Sequence, residues 1–139
     1  MRIRDKIKKP QRPVVAYEIL PPREKDGTLN TYAETISSLL SQTHIDAINI
    51  PEVHDEIGRG ERPVSNQERG EPRKFGMLLQ DIVGIEAIIN RVVVHMPMKK
   101  QMEWIQETHS KYEIDNLIIV GGESSKQQYP GPTVNESLK

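Results

Sequence analysis

Short apolar runs alternate along this chain with segments in which apolar residues recur at helical spacing. The runs are rich in Val and Ile and are closed by Pro, Gly or polar residues, a pattern typical of buried strands. Because the runs are largely apolar on both faces, they indicate a parallel sheet. The predicted strands lie at 13–20, 45–50, 88–95 and 117–120.

Helical spacing follows each of these runs. Thr28 or Asn30 is available to cap the first helix, and Gly84 is placed to stop the second. Strands separated by helices predict an α/β fold with right-handed crossovers. The predicted helices are 29–41, 75–83, one opened by Pro97, and the first turns of a fourth at 133–139.

The number of strand–helix units indicates which α/β architecture to expect. A (β/α)8 TIM barrel normally takes about 250 residues, and four strand–helix units in 139 residues are about half of one. We therefore expect a single α/β domain over residues 1–139, as the amino-terminal half of such a barrel, with a small open sheet as the alternative. A four-stranded half would expose two sheet edges, which invites pairing with a second copy or with a further chain segment.

Composition narrows the classes of function. With 19 basic against 20 acidic residues, the chain has no field to attract nucleic acid or an anionic membrane. No apolar run approaches the roughly 20 residues that cross a bilayer, and residues 1–10 alternate charge, so we expect a cytoplasmic protein. The chain has no Cys, and no two His have the spacing of a helical metal motif, so we expect no metal site. Redox chemistry would therefore need a bound organic cofactor.

Candidate chemistry lies where the strands end, because the carboxyl ends of parallel strands meet at one edge of the sheet and ligands bind there. The predicted strand exits are unusually polar. They carry Glu18, Asn49, Glu52, His54, His95, Gly121, Gly122 and Glu123.

Glu18 is an acid within an otherwise apolar strand. It either lies in a polar cavity or in a buried position, where desolvation favours the protonated form that a general acid needs, or it faces water at a sheet edge. The pattern leaves both interpretations open. The diproline at 21–22 favours a rigid, functional edge.

Other features carry weaker signals. His95 follows three valines at a strand exit, where an imidazole either contacts a ligand or is structural. Gly121 and Gly122 either admit a ligand close to the backbone or close a turn. Tyr129 lies among prolines, as a stacking platform for a ring or as part of a turn. No glycine-rich nucleotide fingerprint is present, and the charged segment 56–73 is predicted to be a solvated loop.

Three segments occur in an informative order: YEILPPR at 17–23, VVVHMP at 92–97 and NLIIVGGE at 116–123. In this order they resemble the methylenetetrahydrofolate reductase family. The resemblance runs over nearly the whole chain. Its most specific part is the first segment, because the family pattern there is aromatic-Glu-x-x-Pro-Pro-Lys/Arg.

The resemblance implies a (β/α)8 barrel that holds FAD non-covalently. Such a flavoprotein passes hydride from NAD(P)H through FAD to 5,10-methylenetetrahydrofolate and yields 5-methyltetrahydrofolate. The resemblance also implies that Glu18 is the catalytic general acid and, with Glu123, binds the folate substrate. It assigns cofactor contacts to Glu52, His54, His95, Gly121, Gly122 and Glu123, to which the stacking interpretation adds Tyr129.

The chain departs from the family pattern at three positions. Pro51 stands where the family often has a threonine whose hydroxyl contacts flavin or nicotinamide. Gly121 and Glu123 stand where many members carry Arg and Asp, which removes a positive charge and lengthens the acid. The alternative functions are therefore a folate-binding module without flavin or reductase activity, and an α/β interaction domain whose edge residues are structural.

Overall fold

The computed structural model describes residues 2–54, 69–124 and 126–139. Within these ranges helices and strands alternate, and the strands form one sheet in which every neighbouring pair is parallel. Their order across the sheet follows their order in the chain. The strands are β1 (Ala16–Glu18), β2 (Ala47–Pro51), β3 (Ala87–Val92) and β4 (Asn116–Val120). The predicted α/β class is therefore confirmed.

The helices begin and end on local signals that the sequence predicted in part. Thr28 accepts a hydrogen bond from the Thr31 N–H at 3.2 Å and is the cap, rather than Asn30. Gly84 ends the next helix in the left-handed conformation, with φ of 72°. The helices are α1 (Ile3–Lys8), α2 (Leu29–Leu40), α3 (Pro72–Val83), α4 (Met98–Tyr112) and α5 (Val134–Ser137), with single 3₁₀ turns at Glu24–Asp26 and Val93–His95.

One face of the sheet is covered by helices. The register places Ile48 beside Ala87 and Ile50 beside Ile89, and these side chains are buried in one core with Phe75 of α3. Helix α2 packs on α3, and α3 packs on α4, so the three helices form a layer on the same face. The hydrophobic core of the described residues lies between this layer and the sheet.

The opposite face is not covered by α2, α3 or α4, and we call it the helix-free face. The register aligns Glu18 with Asn49 and Asn90 with Ile118 on this face. Ile118 is 45% exposed there. Each of the four strands places one polar side chain on the helix-free face among apolar ones, so the strands are largely apolar on both faces as expected.

All four strands differ from their predicted bounds, and the first and third strands differ most. The first is only three residues long and exposed, because it lies at the edge of the sheet. The third ends at Val92, because the Val92 N–H is bonded at 3.0 Å by the side chain of Glu52 instead of by a backbone carbonyl of β2. Val93–His95 then form a turn, although valines favour strands.

Pro51 lies inside the sheet rather than after it. It pairs with Asn90 as the last residue of β2. The Ile48 and Glu52 N–H groups on either side both bond to carbonyls at β3, so in the alternating ladder the Pro51 nitrogen faces β1. The missing N–H therefore costs no bond between β2 and β3.

A cluster at the amino edge of the sheet was not predicted. Asp46, at the start of β2, is buried and accepts bonds from Arg12 at 2.8 and 3.1 Å and from Lys6 of α1 at 2.9 Å. The Arg12 guanidinium, the Val15 N–H and the Lys6 ammonium hold the pKa of Asp46 well below its usual range. This cluster fastens α1 to the sheet at the end remote from the strand exits.

The remaining predictions concern the last segment and the charged loop. The predicted final helix is present as α5, capped by Thr133, whose hydroxyl accepts from the Glu136 N–H at 3.2 Å. Of the predicted charged loop 56–73, residues 56–68 lie outside the described ranges.

Candidate functional site

Three rings meet at the carboxyl edge of the sheet. His54 follows β2, His95 ends the turn after β3, and Tyr129 lies in the segment after β4. The ring centroids of His54 and His95 are 4.4 Å apart with 32° between the planes, and Tyr129 meets His95 edge-on at 5.7 Å. Three predicted site residues from three strand exits thus form one group, which we call the ring cluster.

Tyr129 is anchored to the backbone that follows β4. Its hydroxyl accepts a hydrogen bond from the Ser124 N–H at 2.9 Å and donates one to the Ser124 carbonyl at 3.2 Å. A Cβ at Gly122 would overlap the Tyr129 ring, whereas a Cβ at Gly121 would come no closer than 3.6 Å to Val134. Of the two predicted glycines, Gly122 is therefore the one that shapes the site.

The carboxylate of Glu52 is buried beside this cluster, and both of its oxygens are engaged. Arg91 Nη1 donates to Oε1 at 2.7 Å, and the Val92 N–H donates to Oε2 at 3.0 Å. His54 Nε2 lies 3.6 Å from the same Oε2, which is ion-pair distance. Glu52 therefore contacts a member of the ring cluster while it pairs with a strand of the sheet.

Glu52 stays charged although its carboxylate is buried. Burial acts to raise the pKa of Glu52, but the neighbouring His54, the Arg91 guanidinium and a backbone N–H outweigh it and hold the pKa below its usual value. A buried carboxylate with these partners stays ionised at neutral pH. The ring cluster thus borders a fixed negative charge.

Arg91 was not predicted, and it organises this edge. Its guanidinium is 4% exposed and donates from Nε and Nη2 to Gln101 Oε1 at 3.3 and 3.1 Å. It also lies 4.0 Å from the centroid of the Trp104 ring. The available signal was the one that singled out Glu18, a charged residue inside an apolar predicted strand.

Glu18 lies at the carboxyl end of the edge strand β1 and is exposed. The Asn49 amide donates to its Oε2 at 3.1 Å. Of the two interpretations that the sequence left open, the edge position is the one observed. Glu18 is not buried, because no described element covers β1 on its outer side.

The side-chain oxygens of two asparagines are buried hydrogen-bond acceptors on one face of the sheet. Asn49 Oδ1 and Asn90 Oδ1 are shielded from solvent and have no hydrogen-bond partner among the residues that the structure describes. Both asparagines belong to the helix-free face, on neighbouring strands. Since buried polar atoms are normally paired, these two mark a place where a donor is expected.

Glu123 follows Gly122 and is exposed. It lies three residues after the end of β4, in the segment that leads to Tyr129. Among the described residues, no three His, Asp or Glu side chains converge in a way that could hold a metal ion.

The fold and the position of these groups define the class of this protein as an α/β protein with a candidate ligand site at the carboxyl edge of its parallel sheet. No family profile and no curated protein matches the sequence. Across the described ranges, no helix is both long enough and apolar enough to cross a membrane.

Proposed function

We propose that the carboxyl edge of this sheet binds the flat ring of a flavin, in the amino-terminal half of a methylenetetrahydrofolate reductase-like oxidoreductase. Such an enzyme passes hydride from NAD(P)H through FAD to 5,10-methylenetetrahydrofolate. The observation that carries the proposal is the convergence of His54, His95 and Tyr129 at the edge where Asn49 and Asn90 present unpaired acceptors.

The sheet supports the barrel part of the proposal. Its strands follow chain order without reversal, and α2, α3 and α4 form one layer on one face. Doubly wound sheets reverse their strand order and carry helices on both faces, whereas a barrel does neither. We infer that further strands close the two edges and cover the helix-free face, supplied by a further chain segment or by a second copy.

The site suits the ring of a flavin better than the rest of FAD. An isoalloxazine offers apolar faces to stacked rings and an N–H to an amide oxygen, as the ring cluster and Asn90 Oδ1 require. The diphosphate of FAD needs cationic or N–H donors. Near this edge Arg23 is paired with Asp26 at 2.7 Å, and Arg69 donates to the Pro21 carbonyl at 2.9 Å. We infer that the diphosphate is held mainly by the closing half.

Within this proposal Glu18 is the general acid toward the folate. It stands on the helix-free face with its carboxylate held by Asn49, where a bound pterin and the closing half would desolvate it. Glu123, on the segment after β4, is the second substrate-binding acid. Flavin, when bound, supplies the hydride chemistry, and the chain orients the rings.

The first test is a fluorescence titration of FAD with the purified 139-residue chain. We expect saturable quenching, because flavin emission responds to stacking on aromatic side chains. His95→Ala should weaken binding about tenfold, equivalent to about 1.4 kcal/mol. His109→Ala is the matched control, because His109 lies on α4 at the amino edge and pairs with Asp115 at 2.6 Å.

Failure to bind FAD or riboflavin, or equal effects of the two histidine substitutions, would contradict the flavin proposal. A folate module without flavin is the second candidate. It is favoured by Pro51, which has no hydroxyl, and by Glu52, whose two oxygens are already engaged. Binding of tetrahydrofolate without binding of flavin would select that candidate.

A further inference from the structure

The side chain of Arg91 is held on several sides before it reaches Glu52. Gln101 Oε1 accepts two of its N–H groups, Met96 Sδ lies 3.0 Å from Nη2, and the Trp104 ring lies against its face. The guanidinium therefore has one orientation, set by α4. Its remaining Nη1 donates to Glu52 at 2.7 Å.

Glu52 is fixed in turn by two donors that point at different oxygens. Arg91 engages Oε1, and the Val92 N–H engages Oε2. A carboxylate bound at both oxygens has little rotational freedom. Its second oxygen is the one that His54 Nε2 approaches to 3.6 Å.

The His54 ring thus has a carboxylate beside Nε2 and the His95 ring against its face. A lone pair on Nε2 would be repelled by the adjacent negative oxygen, whereas an N–H there is attracted. Within the described ranges, no other charged side chain forms an ion pair with His54. His95 faces it from the turn after β3, and Tyr129 stands behind His95.

We propose that Glu52 is a positioning residue that keeps the proton of His54 on Nε2 and holds the ring stacked on His95. In that tautomer Nδ1 is the hydrogen-bond acceptor that His54 presents to a ligand. Arg91 and α4 act on His54 through Glu52. The use of this acceptor toward a cofactor ring rests on the proposed function, whereas the tautomer itself does not.

The test is long-range ¹H–¹⁵N NMR of the histidine side chains in the full chain, at about pH 8, where free imidazole is neutral. The chain has four His, and His54→Gln assigns the signals of His54. We expect Nε2 of His54 to give the protonated type of signal and Nδ1 the unprotonated type. In Glu52→Gln we expect this difference to collapse toward the values of free imidazole.

Two further variants separate positioning from stability. Glu52→Leu combined with Arg91→Met removes both charges with apolar side chains, a replacement that folds tolerate well, and should shift His54 in the same way. Asp46→Asn breaks the cluster at the amino edge and should lower stability without moving the His54 signals.

Unchanged His54 signals in either folded Glu52 variant would overturn the proposal. A proton on Nδ1 of His54 in the natural sequence would also overturn it. These spectra are recorded without flavin. They can therefore confirm the tautomer of His54 when FAD does not bind, and FAD can bind when the tautomer differs from the one proposed.

Discussion

The absence of a side chain at Gly122 allows the segment after β4 to pack closely at the carboxyl edge of the sheet. At Gly122 the ring of Tyr129 occupies the place that a Cβ would take, and the tyrosine hydroxyl then reaches Ser124. The adjacent Gly121 has room for a methyl group. The sequence singled out both glycines, but their difference depends on a residue several positions away that local pattern cannot locate.

Gly122→Ala should displace the Tyr129 ring and destabilise the chain by about 1–3 kcal/mol, as overpacking of a filled site does. Gly121→Ala is the matched control and should stay within about 0.5 kcal/mol of the natural sequence. Urea unfolding measures both, and the tyrosine NMR signals report the ring. Equal stabilities of the two variants would mean that Tyr129 is not held as described.

Charged residues within apolar runs are the clearest sequence signal for single residues at this edge. This signal singles out Glu18, which lies at the exposed end of β1, one of the two positions that the sequence left open. Arg91 has the same signal and is the more buried of the two, but it was not among the predicted site residues. Whether such a residue pairs internally or faces a ligand depends on contacts between strands, which the sequence alone does not show.

At the scale of elements, helix spacing and caps were predicted well because both are local. Helix α2 begins at Leu29 after Thr28, one of the two caps that the sequence offered, and α3 ends at Val83 before Gly84, as expected. The bounds of β3 were predicted less well, since the Glu52 side chain takes the Val92 N–H and stops the ladder. Helix α1 was not predicted, because its residues alternate in charge and Ile3 is its one buried residue. The residues that α1 contacts also lie far along the chain, where local pattern does not reach.

The ion pair that joins α1 to Asp46 predicts how the stability of the chain changes at low pH. Asp46 has a lowered pKa in the folded chain, so its contribution to stability is fully present above the unfolded value of about 4. It is lost as pH falls through the lower folded value. Asp46→Asn should therefore be less stable than the natural sequence at pH 7, with a difference that shrinks as pH drops below about 4.

Thermal unfolding between pH 2 and 7 measures this difference. Asp26→Asn is the control, because Asp26 pairs with Arg23 at the exposed turn Glu24–Asp26 and fastens no distant element. A stability gap for Asp46→Asn that is the same at low and neutral pH would argue against a charged Asp46 as the anchor of α1.

At the scale of the molecule, the open sheet is the feature with the largest consequence. β4 is an edge strand with neither a charged residue nor a proline within Asn116–Val120, although edge strands commonly carry such protection. Ile118 of this strand is exposed on the helix-free face. Parallel order and the count of units were predictable from the pattern, whereas no local signal shows which segment would pair with the two edges of the sheet.

Chemical-shift mapping tests the proposed binding of a flavin ring at the carboxyl edge. Riboflavin is added to the ¹⁵N-labelled chain, because it carries the ring without the diphosphate. We predict that the largest shifts fall on His54, Asn90, His95 and Tyr129, with little change at Lys6 and Arg12 on the amino edge. Shifts confined to the amino edge, or no shifts at saturating riboflavin, would contradict the claim.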